Sequence, residues 1–134
     1  MHLNGYADMS RIAPVVKAHP EVTFVLTHLA AGEPEVVEEI AEQCPNALFD
    51  TSIALSGEHC IDRIHNDFWE EDSNVVSFFR RIGCTRFAFG SDYPFGNPVR
   101  DIARIRNMDL TDAEKALILG ANAAKLYGVD GPRR

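Results

Sequence analysis

The sequence predicts an α/β protein built on a parallel sheet, and three observations carry that prediction. Apolar runs such as residues 22–27 (VTFVLT) and the run in RFAFGSD lack polar alternation, as strands covered on both faces do. Amphipathic segments with helix start and stop signals separate these runs. The runs also stop on a histidine or an aspartate, and in sheets of βαβ units chemistry gathers at the carboxyl ends of the strands.

The opening MHL reads as the exit of a strand whose beginning is absent, and DMSRIAPVVKAHP as an amphipathic helix ending before Pro20. The β-branched and aromatic run VTFVLT is the next strand and ends at His28. In EPEVVEEIAEQC, Val36, Val37, Ile40 and Ala41 share one helical face. Pro34 sits near the first turn, acidic residues complement the helix dipole, and Pro45 closes the segment. NALFDTS is a short strand ending at Asp50. Residues 53–83 are mixed, with NVVSFFRRIG the clearest helix and Gly83 its stop. TRFAFGSD is a strand ending at Asp92, and NPVRDIARIRNM a helix with Pro98 in its first turn. Two short helices close the chain. TDAEKALILG opens on a Thr111 to Glu114 capping box, and NAAKLYGV opens on Asn122 as cap and stops at Gly128.

Bulk properties narrow the function classes. A chain of 134 residues is the size of one domain, so residues 1–134 are read as a single unit. The composition is 46% apolar and 25% charged, and no apolar run approaches the roughly 20 residues of a membrane span. The first ten residues lack the basic flank and apolar stretch of a signal peptide. Cys44, Cys60 and Cys84 are an odd, widely spaced set that suits neither a disulfide framework nor a zinc knuckle, so a cytoplasmic setting is expected. With a net charge of −7 and no basic cluster beyond Arg80-Arg81 and Arg133-Arg134, there is no electrostatic footprint for nucleic acid.

Four residues at strand ends could carry chemistry: His2, His28, Asp50 and Asp92. Asp92 is the strongest, a carboxylate in GSDYP directly after a buried strand, although an aspartate at a turn also serves as a cap. His28 precedes LAAGEP, a loop of small residues that would let a ligand approach; its alternative is a satisfied histidine at the core edge. His2 gains meaning only as one more strand exit in the series. Asp50 is read first as a cap of the following segment along with Thr51 and Ser52, and second as a hydrogen-bonding group at the rim. His19, His59 and His65 read as structural or exposed, and Trp69 as a packed aromatic rather than part of a lid.

FVLTH, NALFDTS, RFAFGSDYP and ILGANAAKLYGV, in that order, resemble the C-terminal half of the amidohydrolase-related (amidohydrolase 2) family, whose relatives include aminocarboxymuconate-semialdehyde decarboxylase. The resemblance implies about four βα units of a (β/α)₈ TIM barrel, a domain of roughly 250 residues when whole. It also implies a divalent metal, zinc with manganese as the alternative, held by a His-x-His pair on the first strand, a histidine on the fifth and an aspartate on the eighth. By position His2 matches the fifth-strand ligand, Asp92 the eighth-strand ligand and His28 the sixth-strand catalytic histidine. Asp92 would bind the metal or take a proton from its water. No His-x-His occurs anywhere in the chain.

The implied reaction is metal-dependent hydrolysis of a small carbonyl, amide or ester substrate, with non-oxidative decarboxylation of an unsaturated or aromatic acid as the alternative. Half a barrel leaves two open parallel edges. A missing N-terminal half, a homo-oligomer of this chain, or service as a non-catalytic half-barrel subunit would each cover them.

Overall fold

The structure, a computed structural model, describes residues 8–31, 33–55 and 67–129. Three parallel strands lie side by side in chain order: β1 (Phe24–Leu26), β2 (Ala47–Asp50) and β3 (Phe87–Ala88). Phe24, Val25 and Leu26 stand opposite Ala47, Leu48 and Phe49, while Phe49 and Asp50 stand opposite Phe87 and Ala88. The α/β expectation with parallel strands therefore holds. The strand read from MHL lies outside the described residues. β1 is shorter than residues 22–27 and only its last residue is buried, because it forms an edge of the described sheet.

Helices fill the connections. Asp8 caps α1 (Met9–Ala18) by accepting from the Ser10 N–H, and α3 (Pro34–Gln43) starts on its proline. The apolar face of α4 (Asp72–Ile82) buries Val75, Val76, Phe78 and Phe79. Its C-cap Gly83 has φ 104°, a backbone angle costly for any side chain. α5 (Pro98–Asn107) is capped by Asn97, which accepts from the Arg100 N–H.

Phe49, Phe78, Phe79, Phe87 and Trp69 are fully buried and form the centre of the core. Phe79 lies 4.5 Å from Phe87, and Trp69 meets Phe78 edge-on at 5.0 Å between ring centroids. Trp69 is thus a packed aromatic. Arg104 of α5 fixes the approach to it, donating to the carbonyls of Leu55, Trp69 and Glu70 and to Asp72. Cys44 and Cys84 are buried free thiols; Cys60 lies outside the described residues. No helix among the described residues is long and apolar enough to cross a membrane.

The C-terminal segment corrects one expectation. α6 (Asp112–Ala116) has the Thr111–Glu114 capping box, but a π-helical stretch, Leu117–Ala121, runs on from it directly into α7 (Asn122–Tyr127). Asn122 is therefore not a cap. It is buried, and its amide donates to the carbonyls of Cys84 at 2.8 Å and Phe87 at 2.7 Å. The physical reason lies at β3, where the Phe87 carbonyl and that of Cys84 just before the strand need donors that no neighbouring strand on that side of the described sheet supplies.

The same segment gives a pH prediction. Arg80 grips the Glu114 carboxylate through two hydrogen bonds of 3.0 and 3.1 Å, and the Thr111 N–H adds a third. Together, Arg80 foremost, they pull the Glu114 pKa from 4.5 to about 2. A depressed carboxylate stabilises the fold above its unfolded pKa, and that contribution fades as pH falls from 4.5 toward about 2. Thermal midpoints recorded from pH 6 down to about 2 should fall less steeply in Glu114→Gln than in the wild type. Parallel curves would show that the grip contributes nothing.

Candidate active site

The exits of the three strands adjoin one another in register, so their chemistry converges although it is far apart in sequence. His28 leaves β1, Asp50, Thr51 and Ser52 leave β2, and Gly90 to Asp92 leave β3. The Thr51 N–H donates to the Ala88 carbonyl at 3.0 Å and the Gly90 N–H to Thr51 Oγ1 at 3.3 Å, continuing the ladder past β3. Thr51 and Ser52 are buried polar residues and depend on such partners.

Asp50 Oδ1 is the hub. It accepts from the His28 N–H at 3.2 Å, from the Ser52 N–H at 2.9 Å and from the Ser52 hydroxyl. His28 Nδ1 lies 2.8 Å from Ser52 Oγ and 3.3 Å from the Ser52 carbonyl oxygen. Both readings of Asp50 therefore hold: it orders the turn after its own strand and it bonds across the rim. The third exit closes against this hub, for a Cβ at Gly90 would stand 3.2 Å from both Asp50 Cγ and Ser52 Cβ.

Backbone strain gathers at the same place. The non-glycine residues with positive φ among the described residues are His28 (57°), Leu29 (46°), Ala30 (51°), Ile53 (59°) and Asp92 (53°). All five lie just past a strand end, and each strand contributes at least one. A left-handed conformation costs an L-residue about 1–2 kcal/mol. Such residues persist where the surroundings over-determine them, and they cluster at functional sites. Ile53 is the clearest, since a β-branched residue rarely adopts such a backbone.

Residues after His28 depart from expectation. In place of an open small-residue loop, α2 (His28–Ala31) is a single turn with left-handed Leu29 and Ala30, both buried in the core. Leu29 anchors the turn, and the anchored turn holds His28 against Ser52. Asp92 sits two residues beyond Gly90, its carbonyl accepting from the N–H groups of Phe95 at 2.8 Å and Gly96 at 3.3 Å. His19 is exposed beside Glu21. His2, His59 and His65 lie outside the described residues. Ser52 and Gly90 escaped the sequence reading as site residues. A serine two positions after an aspartate signals a local turn, and nothing in FDTS points to a histidine 24 positions earlier.

Among the described residues no group of three or more His, Cys, Asp or Glu side chains could hold a metal ion. The described residues therefore do not by themselves make a metal centre. What they form is a hydrogen-bonded rim at the carboxyl ends of parallel strands, the place where barrel and open-sheet α/β enzymes carry their chemistry.

This fold is that of part of an α/β barrel. The amidohydrolase family model matches residues 5–129, and the chain belongs to that family. A solved amidohydrolase from Burkholderia multivorans with bound zinc superimposes with a TM-score of 0.70 at 17% identity, over 91% of this chain and 49% of that one. 5-Carboxyvanillate decarboxylase from Sphingomonas paucimobilis gives 0.67 at 15% identity, over 94% and 42%. A dihydroxybenzoic acid decarboxylase from Polaromonas sp. JS666, with bound manganese and the inhibitor 2-nitroresorcinol, gives 0.63 at 16% identity, over 90% and 40%. The chain thus spans half or less of the length of these solved structures. No curated protein matches it in sequence.

Proposed function

We propose that the chain is part of a metal-dependent hydrolase acting on a small carbonyl, amide or ester substrate. In this reading His28 and Asp92 are catalytic, and His2 and Asp92 are two ligands of a divalent metal, zinc or manganese. The observation that carries it is the interlocked rim, where His28 is held by Ser52 and Asp50 and every strand exit is strained. The zinc and manganese named for the solved relatives support the choice of metal. The remaining donors would come from outside the described residues, in a missing N-terminal half or a second copy of this chain. The relatives' greater length supports a missing half.

A bound divalent metal supplies an acidified water and a polarised carbonyl. His28 would take a proton from the attacking water and, once charged, would donate to developing oxyanion charge. Asp50 and Ser52 keep its ring in place. A second reading, non-oxidative decarboxylation of a small aromatic acid, is supported by the two relatives that are decarboxylases.

Metal content of the purified chain tests the proposal. If a second copy of the chain completes the site, elemental analysis should find near-stoichiometric zinc or manganese in the wild type and none in Asp92→Ala. A metal-free wild type after incubation with either ion places the remaining ligands in the missing N-terminal half, and the ligand assignment then fails if Asp92→Ala leaves the metal content of the longer protein unchanged. For a metal-loaded preparation, release of carbon dioxide from hydroxybenzoic acids without ester or amide cleavage would select the decarboxylase reading.

A further inference from the structure

We propose that Asp50 and Ser52 are positioning residues that lock His28 in its Nδ1–H tautomer, leaving Nε2 as the ring atom that carries the lone pair. The use of that lone pair as a base rests on the function proposed above; the tautomer itself rests only on hydrogen bonding.

Donors and acceptors around the ring decide its tautomer. An ionised carboxylate can only accept, so the contact between Ser52 Oγ and Asp50 Oδ1 commits the single hydroxyl proton of Ser52 to Asp50. Ser52 Oγ then has only lone pairs left for His28 Nδ1, 2.8 Å away. The second neighbour of Nδ1, the Ser52 carbonyl at 3.3 Å, also only accepts. Two acceptors facing one ring nitrogen require a proton on it. In a neutral imidazole the lone pair must then sit on Nε2.

The surroundings make this commitment hard to escape. Ser52 is 4% exposed, so water cannot easily replace either partner of its hydroxyl. The Ser52 N–H binds the same Asp50 oxygen and fixes the carboxylate relative to the serine backbone. The His28 N–H binds it too, tying the left-handed backbone of His28 to the group that orders its ring. Gly90 brings the third exit close against this packing, a Cβ there standing 3.3 Å from Asp50 Oδ1. The arrangement follows the logic of a histidine oriented by a carboxylate, with a serine hydroxyl inserted between them. A ring held this way accepts a proton at Nε2 without turning, and the resulting imidazolium keeps its Nδ1–H on Ser52.

Long-range ¹H–¹⁵N correlation of the histidine rings tests this in the 134-residue chain at a pH where the imidazoles are neutral, with His28→Gln assigning the His28 signals. The expected wild-type pattern is a protonated Nδ1 and an unprotonated Nε2. In Ser52→Ala the Nδ1–H form should fall from the dominant to the minority tautomer, while Ser52→Thr, which keeps a hydroxyl, should retain it. A wild-type His28 protonated on Nε2 overturns the proposal, and so does an unchanged Nδ1–H pattern in a folded Ser52→Ala. If Ser52→Ala does not fold, the wild-type and Ser52→Thr patterns still decide. An Nδ1–H ring together with a metal content that Asp92→Ala leaves unchanged in the complete protein would sink the metal assignment and leave the lock standing, whereas a metal content lost in Asp92→Ala together with an Nε2–H ring would do the reverse.

Discussion

Arg86→Met is expected to destabilise the protein by about 3 kcal/mol, because one guanidinium satisfies several carbonyls that nothing nearby could take over. Its Nε donates to Ala47 at 2.7 Å, Nη2 to Cys44 at 2.8 Å and Nη1 to Ala41 at 3.4 Å. Ala41 belongs to the last turns of α3 and Cys44 is its C-cap, and that helix has no basic residue in its own last turn. Arg86, which directly precedes β3, supplies the missing cation at the negative end of the helix dipole. It thereby joins helix, β2 and β3 at the end of the sheet opposite the rim, and it rests 5.8 Å from the Phe49 ring centroid. Burial pulls its pKa below the ordinary arginine value, the mark of a charge kept out of water by strong partners. Arg86→Lys should recover only part of the loss, since an ammonium cannot span the same set of carbonyls. Urea denaturation gives the number. A loss under about 1 kcal/mol would mean that water replaces the guanidinium without penalty.

Gly96→Ala should both destabilise the chain, by about 2–3 kcal/mol, and dislodge Asp92. A Cβ at position 96 would lie 2.0 Å from the Ser91 carbonyl oxygen, an overlap that only backbone movement can relieve. The backbone that must move is the 91–96 turn, in which the Asp92 carbonyl accepts from the Phe95 and Gly96 N–H groups. Because Asp92 already holds φ 53°, a shifted turn has an easy relaxation toward ordinary backbone, away from the rim. The denaturation midpoint should therefore drop, and any metal bound by the wild type should be lost along with it. Gly90→Ala is the milder control. Its closest contacts are 3.2 Å and involve side chains of Asp50 and Ser52 that can yield slightly. A Gly96→Ala protein as stable as the wild type would show that the close approach to Ser91 is not a constraint.

Several elements could be read directly because their signals are local. The capping box at Thr111 and Glu114, the glycine stop at Gly83 and the prolines opening α3 and α5 each depend on a few neighbouring residues. The order of strands and helices follows from periodicity, and with it the placement of Asp50 at the end of a parallel strand and of His28 and Asp92 beyond the ends of two others. Trp69, surrounded by charge in NDFWEED, could be read as a core residue because an indole gains much from burying its large apolar surface.

Other assignments depended on what lies opposite. Asn122 carries a cap's chemistry, and only the position of the Cys84 and Phe87 carbonyls turns it into a buried bridge within a continuous helical run. LAAGEP has the composition of a loop, yet the core takes in Leu29 and Ala30 and winds the backbone left-handed beside them. Ser52 has no sequence mark of partnership with His28. The sequence by itself determined the alternation of elements and which titratable groups end the strands, since both follow from periodicity and turn chemistry within a few residues. Only the tertiary structure decided which of those groups touch, because a contact between His28 and Ser52 exists when β1 and β2 pair in one register and vanishes if either slips by a residue.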